Sequence, residues 1–453
     1  MALKFKTVTL IPRFGTKRKR KPFLYRLIND MPFPVVIIGI GLLFVTFLLN
    51  RIEHLSLSYF PSLFLVILGV ALIWIMPFLA GLFNLAPDMW VQTTIMDFLN
   101  ENNLYREVPS EVKPRKKLIE SSASVSYCID KEEGFLRVRV NKTGIAEYDR
   151  FMNDSDDLLV SAFNLDLWNI HDENNYREFQ LLLEPLSRFT LAGNGLFDKW
   201  GNYVPTNEVG KIPIAERIIW NYRSNPHALI SGGTGSGKTY FIFYLLRCMA
   251  EQGAKLYIID PKRADLKPLM EDFIDEKDIA ETPAQIAGVL RRANDEMNER
   301  YESFKDFENY NEGNDFADYG LAPIFIIFDE VAGARAEADR DTAKEIDDYL
   351  KQIVMKGRQA GVFMVLTTQQ PNAQTISTDI RDQLGLRVGL GTMSGEGERM
   401  VFGSFEGELT SSGGDGEGHV FLDGQHWLSP KKFSTPFFHE SYDLKTDLRN
   451  LLS

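Results

Sequence analysis

The sequence predicts an α/β fold in which a mostly parallel sheet is covered by helices on both faces and carries a loop built to hold a polyphosphate. Three observations predict it. Gly232-Gly233-Thr234-Gly235-Ser236-Gly237-Lys238-Thr239 fits the pattern GxxxxGK[ST] and directly follows the apolar run Ala228-Leu229-Ile230. Ile324 to Phe328 is a second apolar run of strand length, as expected for a strand buried on both faces, and it ends in Asp329-Glu330. Strand-length runs alternate with longer helical segments from Ala228 to Leu366, the order that builds a parallel sheet with its ligand site at the strand C-termini.

From the N-terminus, the first element is electrostatic. Residues 1–30 hold nine Lys/Arg against one Asp, a local +8 in a chain of net −12, which leaves −20 for the remainder. The block Lys17-Arg18-Lys19-Arg20-Lys21 stands just before an apolar stretch from Met31 to Leu49. Such a stretch, at about 1.5 Å per residue, nearly crosses a hydrocarbon core of about 30 Å. A second apolar stretch runs from about Tyr59 to Phe83, with Pro61 and Pro77 near its ends. Residues 31–83 are therefore expected to form a two-helix transmembrane hairpin. The basic flank sets residues 1–30 in the cytoplasm, the short loop containing Arg51, Glu53 and His54 outside, and the rest back inside. The expected location is the cell membrane, multi-pass, with both termini cytoplasmic. A signal-peptide reading fails because Asn50-Arg51-Ile52-Glu53 offers no small-residue cleavage site and a second span follows.

Residues 84–192 are expected to form a small α/β domain. Leu136, Val138 and Val140 alternate with Arg137 and Arg139, a half-buried strand, and Leu158 to Phe163 and Phe179 to Leu183 read as further short strands. Nothing in this segment resembles a catalytic constellation. The two cysteines, Cys128 and Cys248, lie far apart with no metal-ligand spacing, which excludes a disulfide framework or a zinc site and suits a reducing compartment.

Residues 193–453 form the expected motor. The glycines of the loop let backbone N–H groups turn inward around the phosphates of ATP. Lys238 reaches the β- and γ-phosphates, and the Thr239 hydroxyl joins a Mg²⁺ shell. The apolar run Phe241 to Leu246 reads as a buried helix whose N-terminus adds partial positive charge at the phosphates. Next come a strand Leu256 to Ile259, then Asp260-Pro261-Lys262-Arg263, a long polar helix around Ala284 to Phe304, and the Ile324–Phe328 strand. Asp329 is placed to hold Mg²⁺ and Glu330 to polarise the attacking water; the plain alternative is a strand end turning into solvent. A further helix leads to the strand Val362 to Leu366 and Thr367-Thr368-Gln369-Gln370-Pro371.

These residues resemble the FtsK/SpoIIIE DNA translocases and their relatives, the HerA-like ATPases and conjugative coupling proteins, over about Gly193 to Phe438. The resemblance rests on His227-Ala228-Leu229-Ile230-Ser231 before the phosphate loop, Asp260-Pro261-Lys262, Glu296-Met297-Asn298-Glu299-Arg300-Tyr301, Asp329-Glu330, and Gly357-Arg358-Gln359-Ala360-Gly361 with Thr368-Gln369. It implies a RecA-like P-loop motor that hydrolyses ATP. It makes Gln369 the sensor of the γ-phosphate and Arg358 an arginine finger reaching a neighbouring subunit; as a plain residue, Arg358 is a cation favoured at a helix C-terminus.

A finger supplied in trans implies a ring, and the resemblance implies a homohexamer around DNA held without sequence preference. Composition points the other way, because the cytoplasmic part is acidic, so any DNA grip must be local. Family pore contacts fall after the sensor strand, where this chain offers Arg381 and Arg387; Arg381, beside Asp379 and Asp382, reads equally as a solvent-facing arginine. The chain departs from the translocases in Gln370, where they carry Arg, and in Ser394-Gly395-Glu396-Gly397-Glu398, where they place a Lys. Its end soon after a single motor, without a winged-helix domain, resembles the two-span coupling ATPases of Gram-positive conjugative elements. That layout implies a relaxase and a membrane transfer channel as partners. A segregation translocase and a protein-secretion ATPase are the other readings.

Overall fold

The computed structural model describes residues 4–8, 87–109, 117–145, 148, 156–193, 195–307, 310–369, 376–405, 409, 414–425 and 427–452. The expected hairpin at 31–83 and the basic block lie outside the described residues. Among the described residues no helix is long and apolar enough to cross a membrane. The chain divides into two compact units, Met1–Pro185 and Leu186–Ser453.

In the first unit, strands Lys6–Val8, Ser124–Asp130, Phe135–Asn141, Tyr176–Leu182 and Leu167–Asp172 form an antiparallel sheet in that spatial order. The predicted alternation holds. Leu136, Val138 and Val140 are buried against Val91, Ile95 and Leu99 of the helix Pro87–Glu101. On the other face Glu178 receives both Arg137 and Arg139, the latter at 2.6 Å. The expected strand over Leu158 to Phe163 is instead a helix, Asp156–Phe163. The short apolar run hid its period: Leu159 and Phe163, four apart, are buried, while Leu158, one residue before Leu159, is 49% exposed.

The second unit is built on an eight-stranded mixed sheet. Its strands are β1 (Ala228–Gly232), β2 (Lys255–Ile259), β3 (Ile279–Ala280), β4 (Ile324–Phe328), β5 (Val362–Thr368), β6 (Leu386–Leu390), β7 (Glu417–Leu422) and β8 (Lys431–Ser434), in spatial order β3-β2-β4-β5-β1-β6-β7-β8. The six strands from β3 to β6 run parallel; β7 and β8 are antiparallel additions. Every residue of β1, β4, β5 and β6 is buried, which is why Ala228 to Ile230, Ile324 to Phe328 and Val362 to Leu366 read as unbroken apolar runs; β6 is buried although it carries Arg387. The flanking helices are α1 (Lys238–Glu251), α2 (Pro283–Ser303), α3 (Val331–Glu337) and α4 (Arg340–Ala360).

Local chemistry sets the helix ends. Thr282 and Gln285 form a capping box with Pro283 in the first turn of α2, and the Asp339 carboxylate accepts from the backbone N–H groups of Asp341 and Thr342 at the start of α4. Gly361 ends α4 at φ 75, and a Cβ there would run into the Phe316 ring. Beneath the sheet, Trp220, Tyr222, Phe316, Phe325 and Phe363 pack edge to face, with Tyr222 and Phe363 centroids 4.9 Å apart.

Candidate nucleotide site

The phosphate loop joins β1 to α1 at the C-terminal edge of the parallel strands, where a doubly covered sheet presents its ligand site. Gly235 and Gly237 have φ 80 and φ 90, conformations that strain any side chain. A Cβ at Gly233 or Gly235 would meet nothing within 4 Å, so both face an open cradle, whereas one at Gly237 would lie 2.8 Å from Gly416 Cα. The Ser236 hydroxyl is buried without a hydrogen-bond partner. Open glycines, a helix N-terminus and a buried lysine beside them fit a polyphosphate.

Four side chains meet at this edge. Lys238 Nζ stands 3.5 Å from Asp329 Oδ1 and 3.5 Å from Thr367 Oγ1. The Thr367 hydroxyl donates to Asp329 and accepts from the Glu330 backbone N–H at 3.3 Å. Glu330 is buried and held in the left-handed region at φ 55, where its carboxylate accepts from Lys262 Nζ at 3.1 Å. Thr239 Oγ1 donates to Asp265 at 3.1 Å. Lys238, Asp329 and Glu330 are thus brought to one edge, while Thr239, next to Lys238, is engaged by Asp265. Thr367 and Lys262 are not singled out by the sequence reading.

Gln369 lies exposed just past β5, two residues beyond Thr367. Thr367 is the residue of that strand that touches the cluster. The signal was available: Thr367 precedes Thr368-Gln369 on a strand adjoining both β4 and β1, so its parity places it beside Asp329. Asp260-Pro261-Lys262 proves to be a positioning turn. Buried Asp260 accepts from the Lys267 backbone N–H at 3.1 Å, and the turn delivers Lys262 to Glu330.

Arg358 sits at the opposite edge. It is exposed in the last turn of α4, which feeds the N-terminal end of β5. With β1 and β5 parallel, the seven residues of β5, at about 3.3 Å each, separate it from the phosphate loop by roughly 20 Å. There it lines a cavity of about 540 Å³ with Lys211, Arg223, Asp315 and Gln359. The segment Glu296 to Tyr301 anchors that turn: Arg300 donates to Ala360 O at 2.9 Å and Tyr301 to Lys356 O.

The predicted DNA contacts divide. Arg387 is buried; its guanidinium bonds Leu384 O, Phe402 O and both carboxylate oxygens of Asp423. It therefore has no donor face to offer a phosphate, and its expected DNA contact is corrected to a structural ion pair. Arg381 ends a short helix, Thr378–Arg381, with its guanidinium 3.1 Å from Asp382 and its side chain 20% exposed.

This parallel sheet with its phosphate loop and strand-end Asp-Glu pair defines a P-loop ATPase domain. Residues 199–373 match the FtsK/SpoIIIE family. The chain is 38% identical over 245 residues to the Ftsk domain-containing protein YdcQ of Bacillus subtilis (strain 168), covering 54% of this chain and 50% of that protein. It is 27% identical over 227 residues to the DNA translocase FtsK of Streptococcus agalactiae serotype V, covering 45% and 27%. The chain spans half or less of the length of these curated relatives. Among solved structures it is similar to the pCW3 conjugation coupling protein TcpA in its monomer form with ATPγS, with 16% identity, 73% of this chain and 94% of that chain covered, and a TM-score of 0.47.

Proposed function

We propose that the chain is a membrane-anchored ATPase that moves DNA without sequence preference, and that it serves as the coupling protein of a conjugative element, between a relaxase and a membrane transfer channel. The observation that carries the reading is the gathering of Lys238, Asp329, Glu330 and Thr367 at one sheet edge inside an FtsK/SpoIIIE domain. The relatives named DNA translocase FtsK support the substrate class. The basic block and the two apolar stretches before the motor support the anchor and the coupling-protein layout.

In this reading the loop backbone from Gly232 to Thr239 grips the phosphates of ATP and Lys238 leaves Asp329 for the γ-phosphate. Glu330 accepts the proton of the attacking water. Mg²⁺, when bound, neutralises charge on the phosphate oxygens; Thr239 and Asp329 would hold it, and their hydroxyl and carboxylate oxygens suit a hard cation. Gln369, exposed just beyond this cluster, is the proposed sensor. Arg358, at the other edge, serves only a neighbouring subunit, so activity requires a closed assembly, for which a homohexamer is the proposal. Arg381 is the remaining candidate for DNA contact.

The test is ATP hydrolysis by the assembled full chain with and without duplex or single-stranded DNA at low salt. Stimulation by DNA is expected, with loss in Lys238→Ala and partial recovery when Lys238→Ala and Arg358→Ala chains are mixed. Absence of any DNA response overturns the translocase reading, and absence of recovery in rings shown to mix overturns the role of Arg358.

A further inference from the structure

We propose that Tyr240, backed by Phe438, is the platform on which the base of the bound nucleotide stacks. The proposal rests on the nucleotide reading above and adds the side chains that recognise the part of the ligand the phosphate loop cannot touch.

Topology fixes the direction in which the base must leave. Asp329, Glu330 and Thr367 stand on the β4 and β5 side of β1, and Lys238 points toward them. The γ-phosphate end of the nucleotide belongs on that side. The base therefore emerges on the other side of β1, where β6, β7 and β8 lie. A continuous set of hydrogen bonds occupies that side. Gly416 N–H donates to Ser236 O of the phosphate loop at 3.1 Å, Thr435 N–H donates to Gly416 O at 2.8 Å, and Arg188 donates to Thr435 O.

The next residues along that segment are aromatic. Phe437 and Phe438 pair in parallel with Thr190 and Leu191. Tyr240, immediately after the Thr239 that ends the loop, lies in the first turn of α1 with its ring centroid 5.3 Å from that of Phe438 and 69° between the planes. Phe438 is braced from behind by Tyr442 at 5.6 Å. Arg188 lies 5.4 Å from the ring of Phe437. Tyr240 is 58% exposed and Phe437 46% exposed, although both are large rings beside a well-packed sheet.

An exposed ring held edge-on by a second ring keeps one face free and its orientation fixed. That is what a flat heteroaromatic ligand requires. Stacking discriminates by area rather than by base edge, so purine triphosphates should bind better than pyrimidine triphosphates.

The test is titration of the full chain, in a Glu330→Gln background, with two probes: ATP and inorganic tripolyphosphate. Tyr240→Ala should weaken ATP about tenfold, the scale of one lost stacking contact. It should leave tripolyphosphate unchanged, while Tyr240→Phe retains ATP affinity. ATP affinity that survives Tyr240→Ala overturns the platform alone, and leaves the exposed rings to contact between copies of the chain. Equal weakening of both probes also overturns it, since Tyr240 would then only support α1. Failure of the parent protein to bind either probe overturns the nucleotide reading and the platform together.

Discussion

Replacing Glu330 by glycine should leave a more stable protein than replacing it by alanine, the reverse of the order inside a helix. Glu330 has φ 55 and ψ 68 at the N-cap of α3, a left-handed conformation that costs an L-residue with a Cβ about 1–2 kcal/mol and glycine almost nothing. Glycine gives back about 0.4–1 kcal/mol through the freer unfolded chain. The balance favours glycine over alanine by about 0.5–1 kcal/mol. The comparison is clean because both changes delete the same carboxylate and the same contact with Lys262, whose side chain is 42% exposed and whose ion pair is therefore weak. Urea midpoints at a common denaturant slope measure the difference, with Glu330→Asn expected between the two because asparagine tolerates this region. Both glycine and alanine variants should lose hydrolysis, read as phosphate release. An alanine variant as stable as the glycine variant would refute the argument that strain is held at this residue to aim its carboxylate.

Thr367→Val, nearly isosteric, removes the hydroxyl that accepts from Glu330 N–H and lies 3.5 Å from Lys238 Nζ, so ATP turnover should fall about tenfold or more while ATP binding changes little; unchanged turnover would show that the contact does not order the site. His227 is fully buried, accepts from Met364 N–H through Nδ1 at 3.0 Å, and has its pKa pushed down to about 4 by burial, whereas the unfolded chain protonates near 6.5. Its contribution is therefore complete above pH 6.5 and is lost as pH falls toward 4, amounting to about 2 kcal/mol at pH 5; denaturation midpoints that do not fall between pH 7.5 and 5 would refute it.

The strands β1, β4 and β5 were legible because they are buried on both faces and carry no polar residue until they reach the site. Ile324 to Phe328 needs no period to be read, and Asp329 stands out as the place where burial stops. The helix Asp156–Phe163 was not legible for the opposite reason: eight residues with five apolar side chains satisfy both periods, and only the packing of Leu159 and Phe163 selects the helix. Arg387 misled for another reason. The family resemblance put it among pore contacts, but β6 is flanked by β1 and β7, and Asp423 at the end of the neighbouring strand supplies the partner that lets it be buried.

Motif residues also divide by what they do, and spacing alone does not separate the kinds. Lys238, Asp329 and Glu330 converge on the phosphate loop, whereas Arg300 and Tyr301, quoted in the same resemblance, bond the carbonyls of Ala360 and Lys356. Ala360 O is one of the last carbonyls of α4, which a helix leaves without intrahelical partners, and Lys356 O lies one turn before it. Side chains from α2 bond both and so brace the turn that presents Arg358 to solvent. If Arg358 serves a site on another chain, as proposed above, this bracing would set the register in which it arrives, and it places the cost of that register on α2 rather than on the nucleotide site itself.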